Sequence, residues 1–221
     1  MIIELGKTNS IFNQFLYQLR DKEIQTDRMR FRKNLERLGE IFAYEISKHL
    51  EYTDKEVVTQ LGTAGMQILK EQPLLATVLR AGLPFHQGFL NFFDEADNAF
   101  ISAYRKYSRE DEEEFVIKLD YISAPLIKKR VLIISDPMLA TGGSLVAAIK
   151  GMLEKGKPKH IHIVSILASH EGIETLKQNF SKIKMTIWTG AIDDELTAKA
   201  YIVPGLGDAG DLAFGTKNDD I

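Results

Sequence analysis

Between Leu74 and Trp188, short continuous apolar runs alternate with segments of helical periodicity, and few folds accommodate that rhythm. The runs are Leu74–Leu79, Ala99–Tyr104, Val131–Ser135, Ile161–Leu167 and Met185–Trp188, and the helical segments fall at about Phe85–Glu95, Ser144–Lys155 and Glu171–Asn179. A strand without polar alternation has no face to give to water, so it needs cover on both sides. Helices between such strands supply the cover, and right-handed crossovers then dictate a doubly wound parallel sheet of the α/β class. Ligands in such sheets sit beyond the C-terminal ends of the strands, so the loops there are the ones that carry chemistry.

Upstream, Phe31, Leu35, Leu38, Ile41, Phe42 and Ile46 fall at helical spacing between Asp27 and about Leu50, with Thr26 or Asp27 as a cap. The other face carries Arg28, Arg30, Arg32, Lys33 and Arg37, a solvated or interface face before it is an RNA-binding one. Val57–Val58 and Met66–Leu69 flank a turn-like Gln60–Gly65 stretch and predict a small hairpin. With no linker or repeat, 1–221 is expected to be a single domain: a helical arm over 1–55, a hairpin over 56–72, and an α/β core over 73–221.

Composition mainly excludes. The chain of 221 residues is 44% apolar and 27% charged, enough for a real core. Net charge is -3, so no general basic field steers it to nucleic acid or to an anionic membrane. The absence of cysteine removes disulfides, thiolate nucleophiles and Cys-ligated metals. The start, MIIELGKTNSIF, lacks the basic and apolar regions of a signal peptide, and no apolar run is long enough to span a bilayer. A cytoplasmic location is the expectation.

The segment Lys129–Ser144 reads strand, then DPMLATGGS, then a helix start. A helix N-terminus offers unpaired N–H groups and a positive dipole end to an anion. Gly142 and Gly143 let the backbone approach phosphate oxygens, and Thr141 and Ser144 add hydroxyl donors. Within this loop no Lys precedes the Ser and there is no G-x-G-x-x-G, so it is neither a Walker nor a Rossmann loop. Asp136 at the strand tip can accept hydrogen bonds from a ribose diol; the bland alternative is a capping residue of a strand–helix turn. The nonapeptide resembles the loop of the type I phosphoribosyltransferases that binds 5-phosphoribosyl-1-pyrophosphate (PRPP), and in its full form that of the uracil-specific members.

Tyr201–Lys217, YIVPGLGDAGDLAFGTK, holds Gly205, Gly207, Gly210 and Gly215. Glycines so dense predict a shaped loop rather than a helix or strand interior. Its backbone N–H and C=O groups can match the alternating edge of uracil and would leave cytosine with unpaired polar groups. Alone, it reads equally well as a surface loop with Asp208 and Asp211 as turn residues. It resembles the uracil-binding signature of the same family, which would place uracil against Ile202 and the Gly207–Asp208–Ala209 backbone, with Asp208 also facing PRPP.

Arg80 and Arg105 each stand just past an apolar run, in LRAGL and YR, segments similar to the PRPP-contacting ones of the family. Permanently charged guanidinium groups suit a pyrophosphate. LRD (Leu19–Asp21), FR (Phe31–Arg32), RLG (Arg37–Gly39), YE (Tyr44–Glu45) and QLGTAG (Gln60–Gly65) extend the likeness over nearly the whole chain. Departures from the family pattern are Leu212 at a usually basic position, Pro84–Gln87, the acidic stretch Tyr107–Tyr121, and the extra residues Asn218–Ile221. Glu110–Glu114 read as a solvated loop, or else as a flap closing over a site. His160 and His162 are too sparse for a metal site, His86 is a weaker candidate for the ligand end, Ser135 and Ser144 lack a His partner, and Trp188 is expected in the core.

The resemblance implies conversion of uracil and PRPP to UMP and diphosphate. Asp136, Arg105 and Asp208 would be catalytic. PRPP would lie on Arg80, Arg105, Asp136, Pro137, Met138, Leu139, Ala140, Thr141, Gly142, Gly143, Ser144 and Asp208, and Mg²⁺ would be held through PRPP and water. It also implies a dimer or tetramer, leaves room for a GTP effector, and gives no reason to expect a membrane or nucleic-acid partner. The alternatives are a phosphoribosyltransferase for another base, and a nucleotide-sensing regulator that binds RNA through the Arg28–Arg37 helix.

Overall fold

The computed structural model describes the backbone of residues 1–107 and 115–216, and their side chains apart from those of 104–118. The chain opens with a short strand, β1 (Ile2–Glu4), and two helices, α1 (Ile11–Arg20) and α2 (Arg28–Ser47). Ser10 caps α1 by accepting the Phe12 N–H, and Asp27 caps α2 by accepting the Arg30 N–H at 3.0 Å. A hairpin of β2 (Tyr52–Val58) and β3 (Thr63–Leu69) follows, longer than its apolar residues alone suggest. Then come β4 (Leu74–Leu79), α3 (Gly82–Leu90), β5 (Asp97–Tyr107), β6 (Phe115–Ser123) and β7 (Val131–Ser135). The remainder is β8 (Met138–Leu139), α4 (Gly143–Leu153), β9 (His160–Ser169), α5 (His170–Asn179), β10 (Met185–Asp193), β11 (Glu195–Leu196), β12 (Ile202–Val203) and α6 (Ala209–Phe214).

The main sheet runs β1-β10-β9-β7-β4-β5-β6, with β8 attached to β9. Every pairing is parallel except β5 with β6, so the expected parallel sheet carries one antiparallel edge strand. From β4 the chain winds outward through β5 and β6, then returns to β4's other side as β7 and winds the opposite way. Strand order therefore reverses between β4 and β7, where doubly wound sheets bind their ligands. The acidic run Glu110–Glu114 lies outside the described residues; its flanks pair as β5 and β6.

Alternate strand residues serve two cores. Leu75, Ile133, Val164, Ile166 and Trp188 pack against α1, α2 and α3, while Leu74, Leu132, Ile134, Ile163 and Ile187 pack against α4 and α5. Both faces are covered, which explains why the strands read as unbroken apolar runs. Among the described residues, no helix is long and apolar enough to cross a membrane.

His86, His160 and His162 lie in this scaffold rather than at the site. His86 is buried, with Nε2 2.8 Å from Asn98 Oδ1, close to the start of β5 and away from the strand's ligand-facing end. His162 is buried too, and its Nδ1 accepts the Trp188 Nε1–H at 3.0 Å, which requires that nitrogen to be unprotonated. Burial, then the neighbouring His160 and His49, lower its pKa to about 3. Burial first of all also lowers His86 and His160. The unfolded chain thus binds protons below about pH 6.5 that the folded chain refuses. The stability contributed by neutral His162 is fully present above that pH and is lost as pH falls towards 3, by up to about 1.4 kcal/mol per pH unit. Urea unfolding of His162→Gln, which keeps an acceptor for Trp188, is expected to show a shallower decline between pH 6 and 4 than the parent; parallel declines would exclude His162 as a source.

A candidate anion loop and a glycine-rich turn at the switch point

β4 and β7 are parallel neighbours with Thr77 opposite Ser135, so their C-terminal ends lie at the same side of the sheet. Asp136 follows β7 directly, and Arg80 follows β4, two residues beyond the position opposite Asp136. The Thr77 hydroxyl donates to Ser135 O at 3.2 Å, and Ser135 Oγ lies 3.3 Å from both Ala76 O and Thr77 Oγ1, tying the two strand ends together. Ser135 is therefore a buried structural residue.

Asp136 N–H donates to Val164 O at 3.0 Å, and Asp136 Oδ1 accepts the Met138 N–H at 3.2 Å. Pro137 O accepts from Ile166 N and Leu167 N, and β8 pairs with Leu167 and Ala168 of β9. Pro137–Leu139 is thus stitched to the sheet, with the Leu139 side chain in the core. Any ligand contact from Leu139 must come from its main chain. Beyond it, Ala140 O accepts the Ser169 hydroxyl at 2.6 Å, and Gly142 turns at φ +83° to begin α4. That φ is in the left-handed region, which glycine enters without a Cβ penalty.

Side chains cap α1, α2, α5 and α6, whereas α3 and α4 start without one. The uncapped pair are the two helices that begin at the C-terminal ends of β4 and β7. At α4, Gly143 N–H has only Thr141 Oγ1 at 3.5 Å, so its first amides and positive dipole end face the loop. Thr141 and Ser144 are half-buried beside them. This is an anion cradle made of backbone.

Arg80 pairs with Asp211, Nη2 to Oδ1 at 3.0 Å, and approaches Gly215 O at 3.5 Å. Its Nε is buried with no hydrogen-bond partner, a donor left over for an anion. Arg105, expected past the end of its strand, instead lies within β5 opposite Ile117, and its side chain lies outside the described ones. The strand is longer than its apolar run because β6 pairs with it.

The C-terminal glycine-rich segment is not all loop. Ala209–Phe214 is a helix that includes Gly210, started by Asp208, whose Oδ1 accepts the Asp211 N–H at 2.9 Å. The glycine count obscured the signal; a side-chain acceptor three residues before its N–H partner is an N-cap. Gly205 and Gly207, at φ +56° and +95°, shape the turn after a cis Val203–Pro204 bond. A Cβ on Gly210 would sit 3.1 Å from Asp208 Oδ1 and 3.4 Å from Arg80 Nη2, so carboxylate and guanidinium converge on the first turn of α6. Tyr201 Oη reaches Asp208 Oδ2 at 3.4 Å. The side chains of Ile202 and Ala209 are buried, leaving their main chains for recognition, and Leu212 packs against the core at its usually basic position.

The basic face of α2 is largely engaged. Arg32 donates to Ala213 O at 2.7 Å, Arg37 donates to Asn34 Oδ1 and lies over Phe15, and Lys33 pairs with Glu36. Sequence reasoning gave no role to Ser169 and Gly172, which brace the phosphate loop, or to Asp193. Their signals were weak: Ser169 caps α5 through Gly172 N–H, and Asp193 is one aspartate at a strand end.

A family model for uracil phosphoribosyltransferase matches residues 8–216. The chain is similar to the uracil phosphoribosyltransferase of Porphyromonas gingivalis, with 52% identity over 216 residues that cover 98% of this chain and 99% of the relative. It is 38% identical to that of Thermococcus gammatolerans over 205 residues, 91% of this chain and 88% of the relative. Among solved structures it is similar to the AQ2163 protein from Aquifex aeolicus, with a TM-score of 0.85, 30% identity, and coverage of 99% of this chain and 100% of that one.

Proposed function

This chain belongs to the uracil phosphoribosyltransferase family, and we propose that it joins uracil N1 to C1 of PRPP, forming UMP and releasing diphosphate. The observation that best supports the reading is the pairing of β4 with β7, which brings the strand ends preceding Arg80 and Asp136 to the same side of the sheet, with α4 starting uncapped beyond β7.

In this reading Ala140–Ser144 hold the 5′-phosphate through amides and hydroxyls, and Asp136 accepts from the ribose hydroxyls. Positive charge grows on the ribose as the C1–oxygen bond stretches, much as in glycoside cleavage, and negative charge gathers on the leaving diphosphate. Arg80, through the Nε that lacks a partner, and Arg105 stabilise that leaving group electrostatically. Uracil lies against the main chain of Ile202 and of Gly207–Asp208–Ala209. Asp208 is held by capping α6, and in this reading its charge steadies the reacting centre. Holding both substrates in line supplies much of the rate, and no covalent enzyme intermediate is required.

The donor set suits a metal carried by the substrate. No group of three or more His, Asp or Glu able to hold an ion occurs among the described residues, and magnesium at phosphate sites keeps waters and substrate oxygens as ligands. When bound, Mg²⁺ would neutralise diphosphate charge; no side chain here is assigned as its ligand.

Purified protein is expected to convert labelled uracil to UMP only with PRPP and Mg²⁺, and to leave cytosine and hypoxanthine untouched. Turnover without PRPP, or preference for another base, would overturn the reading. A cytoplasmic dimer or tetramer is part of the same proposal, and exposed Val58, Leu61 and Met66 on the hairpin suit burial against a second copy. Sedimentation checks the assembly, and kcat with added GTP checks for an effector.

A further inference from the structure

Two charged side chains outside both glycine loops meet on the main chain that carries the base-binding turn. Arg20 is the last residue of α1, and Asp193 is the last residue of β10, at the same sheet edge as Asp136 and Arg80. The carboxylate of Asp193 is 7% exposed. Arg20 places Nη1 and Nη2 on its two oxygens, each at 2.8 Å. The same pair then grips one residue of the turn. Asp193 Oδ2 accepts the Gly205 N–H at 2.9 Å, and Arg20 Nη1 donates to Gly205 O at 3.0 Å.

We infer that Arg20 and Asp193 are positioning residues that set the base-binding turn and thereby the selection of uracil, an inference that rests on the uracil-transfer reading above. Gly205 stands two residues before Gly207 and three before Asp208. It sits at φ +56°, where a Cβ would come 2.1 Å from Ile202 O, so its backbone is tightly folded on itself. Both of its peptide groups are held by ionised partners, and charge-assisted hydrogen bonds are the strong ones. A base read by main-chain donors and acceptors is read only as well as that main chain is placed. The clamp touches no substrate. It acts through the turn.

The test uses the full chain, with Arg20→Lys, which keeps the charge and loses the fork, and Asp193→Asn, which keeps one acceptor. Each is compared with the parent by varying uracil at saturating PRPP, varying PRPP at saturating uracil, and substituting cytosine. The expected result is a uracil KM raised at least about tenfold, since small displacements of a bound reactant are costly. The kcat and PRPP KM should stay within about twofold, and the preference for uracil over cytosine should fall. An unchanged uracil KM, or kcat and both KM values shifting together, would overturn the inference. Should the variants fail to fold, the Gly205 amide of the parent protein, observed by NMR, is expected to resist hydrogen exchange; a freely exchanging Gly205 would overturn it equally. A parent protein without PRPP-dependent uracil turnover would instead sink the underlying reading.

Discussion

Replacing Asp136 by Asn is expected to lower kcat/KM for PRPP at least about a hundredfold while leaving the fold intact, as removal of one preorganised polar group from a reacting centre commonly does. The substitution isolates charge from shape. Asn retains an Oδ1 to accept the Met138 N–H, now at 3.2 Å, and the Asp136 N–H bond to Val164 O does not involve the side chain. These two bonds of the turn out of β7 therefore persist. In the proposed reading, what disappears is a negative charge near a ribose that becomes positive, and an acceptor for two hydroxyl donors. The amide NH₂ introduced in its place is itself a donor, which leaves a ribose hydroxyl unpaired. Steady-state kinetics beside a thermal melt decide the matter. A variant with parental kcat/KM and parental Tm would remove Asp136 from the ribose site.

The second large effect concerns a residue with no chemistry of its own. Gly172→Ala is expected to raise the PRPP KM by about tenfold to a hundredfold, with the uracil KM unmoved, because the phosphate loop is displaced from its working geometry. Helix propensity alone would favour alanine in α5 by about 1 kcal/mol. Against that, the new Cβ would lie 2.3 Å from Ala140 O and 2.9 Å from Leu139 O, and both are backbone atoms. The loop has little room to retreat. β8 is paired to β9 on one side, and Ser169 binds Ala140 O and Gly172 N–H together on the other. The strain must pass into Thr141–Gly143, whose amides are the ones proposed to hold the phosphate. Overpacking of this kind costs about 1–3 kcal/mol of stability, readable by urea unfolding. An unchanged PRPP KM would show that the loop yields without moving its amides.

The phosphate loop was legible because everything it needs is local: a strand, a glycine turn and a helix start within sixteen residues of Lys129–Ser144. The double cover of the sheet was legible for a similar reason, since two buried faces leave an unbroken apolar run. Legibility failed where pairing or capping extended an element beyond its apolar residues. Arg105 lies inside β5 because β6 pairs with it along a stretch of polar sequence. The helix Ala209–Phe214 was hidden by its glycine, although Asp208 and Asp211 had the spacing of a cap and its N–H partner. The acidic run Glu110–Glu114, expected as a loop or flap, lies outside the described residues.

By itself the sequence determined the strand–helix rhythm, the phosphate cradle and the glycine turn, since each follows from residues near one another in the chain. It did not determine that β7 returns to pair with β4, because an apolar run buries as well beside one neighbour as another. That choice brings together the strand ends that precede Arg80 and Asp136, residues joined by no local pattern. Nor did it determine that Arg20 would reach Asp193, 173 residues away, and hold Gly205 between them. Local patterns specify what each loop is able to bind. Strand order and a long-range ion pair decide which loops face one another.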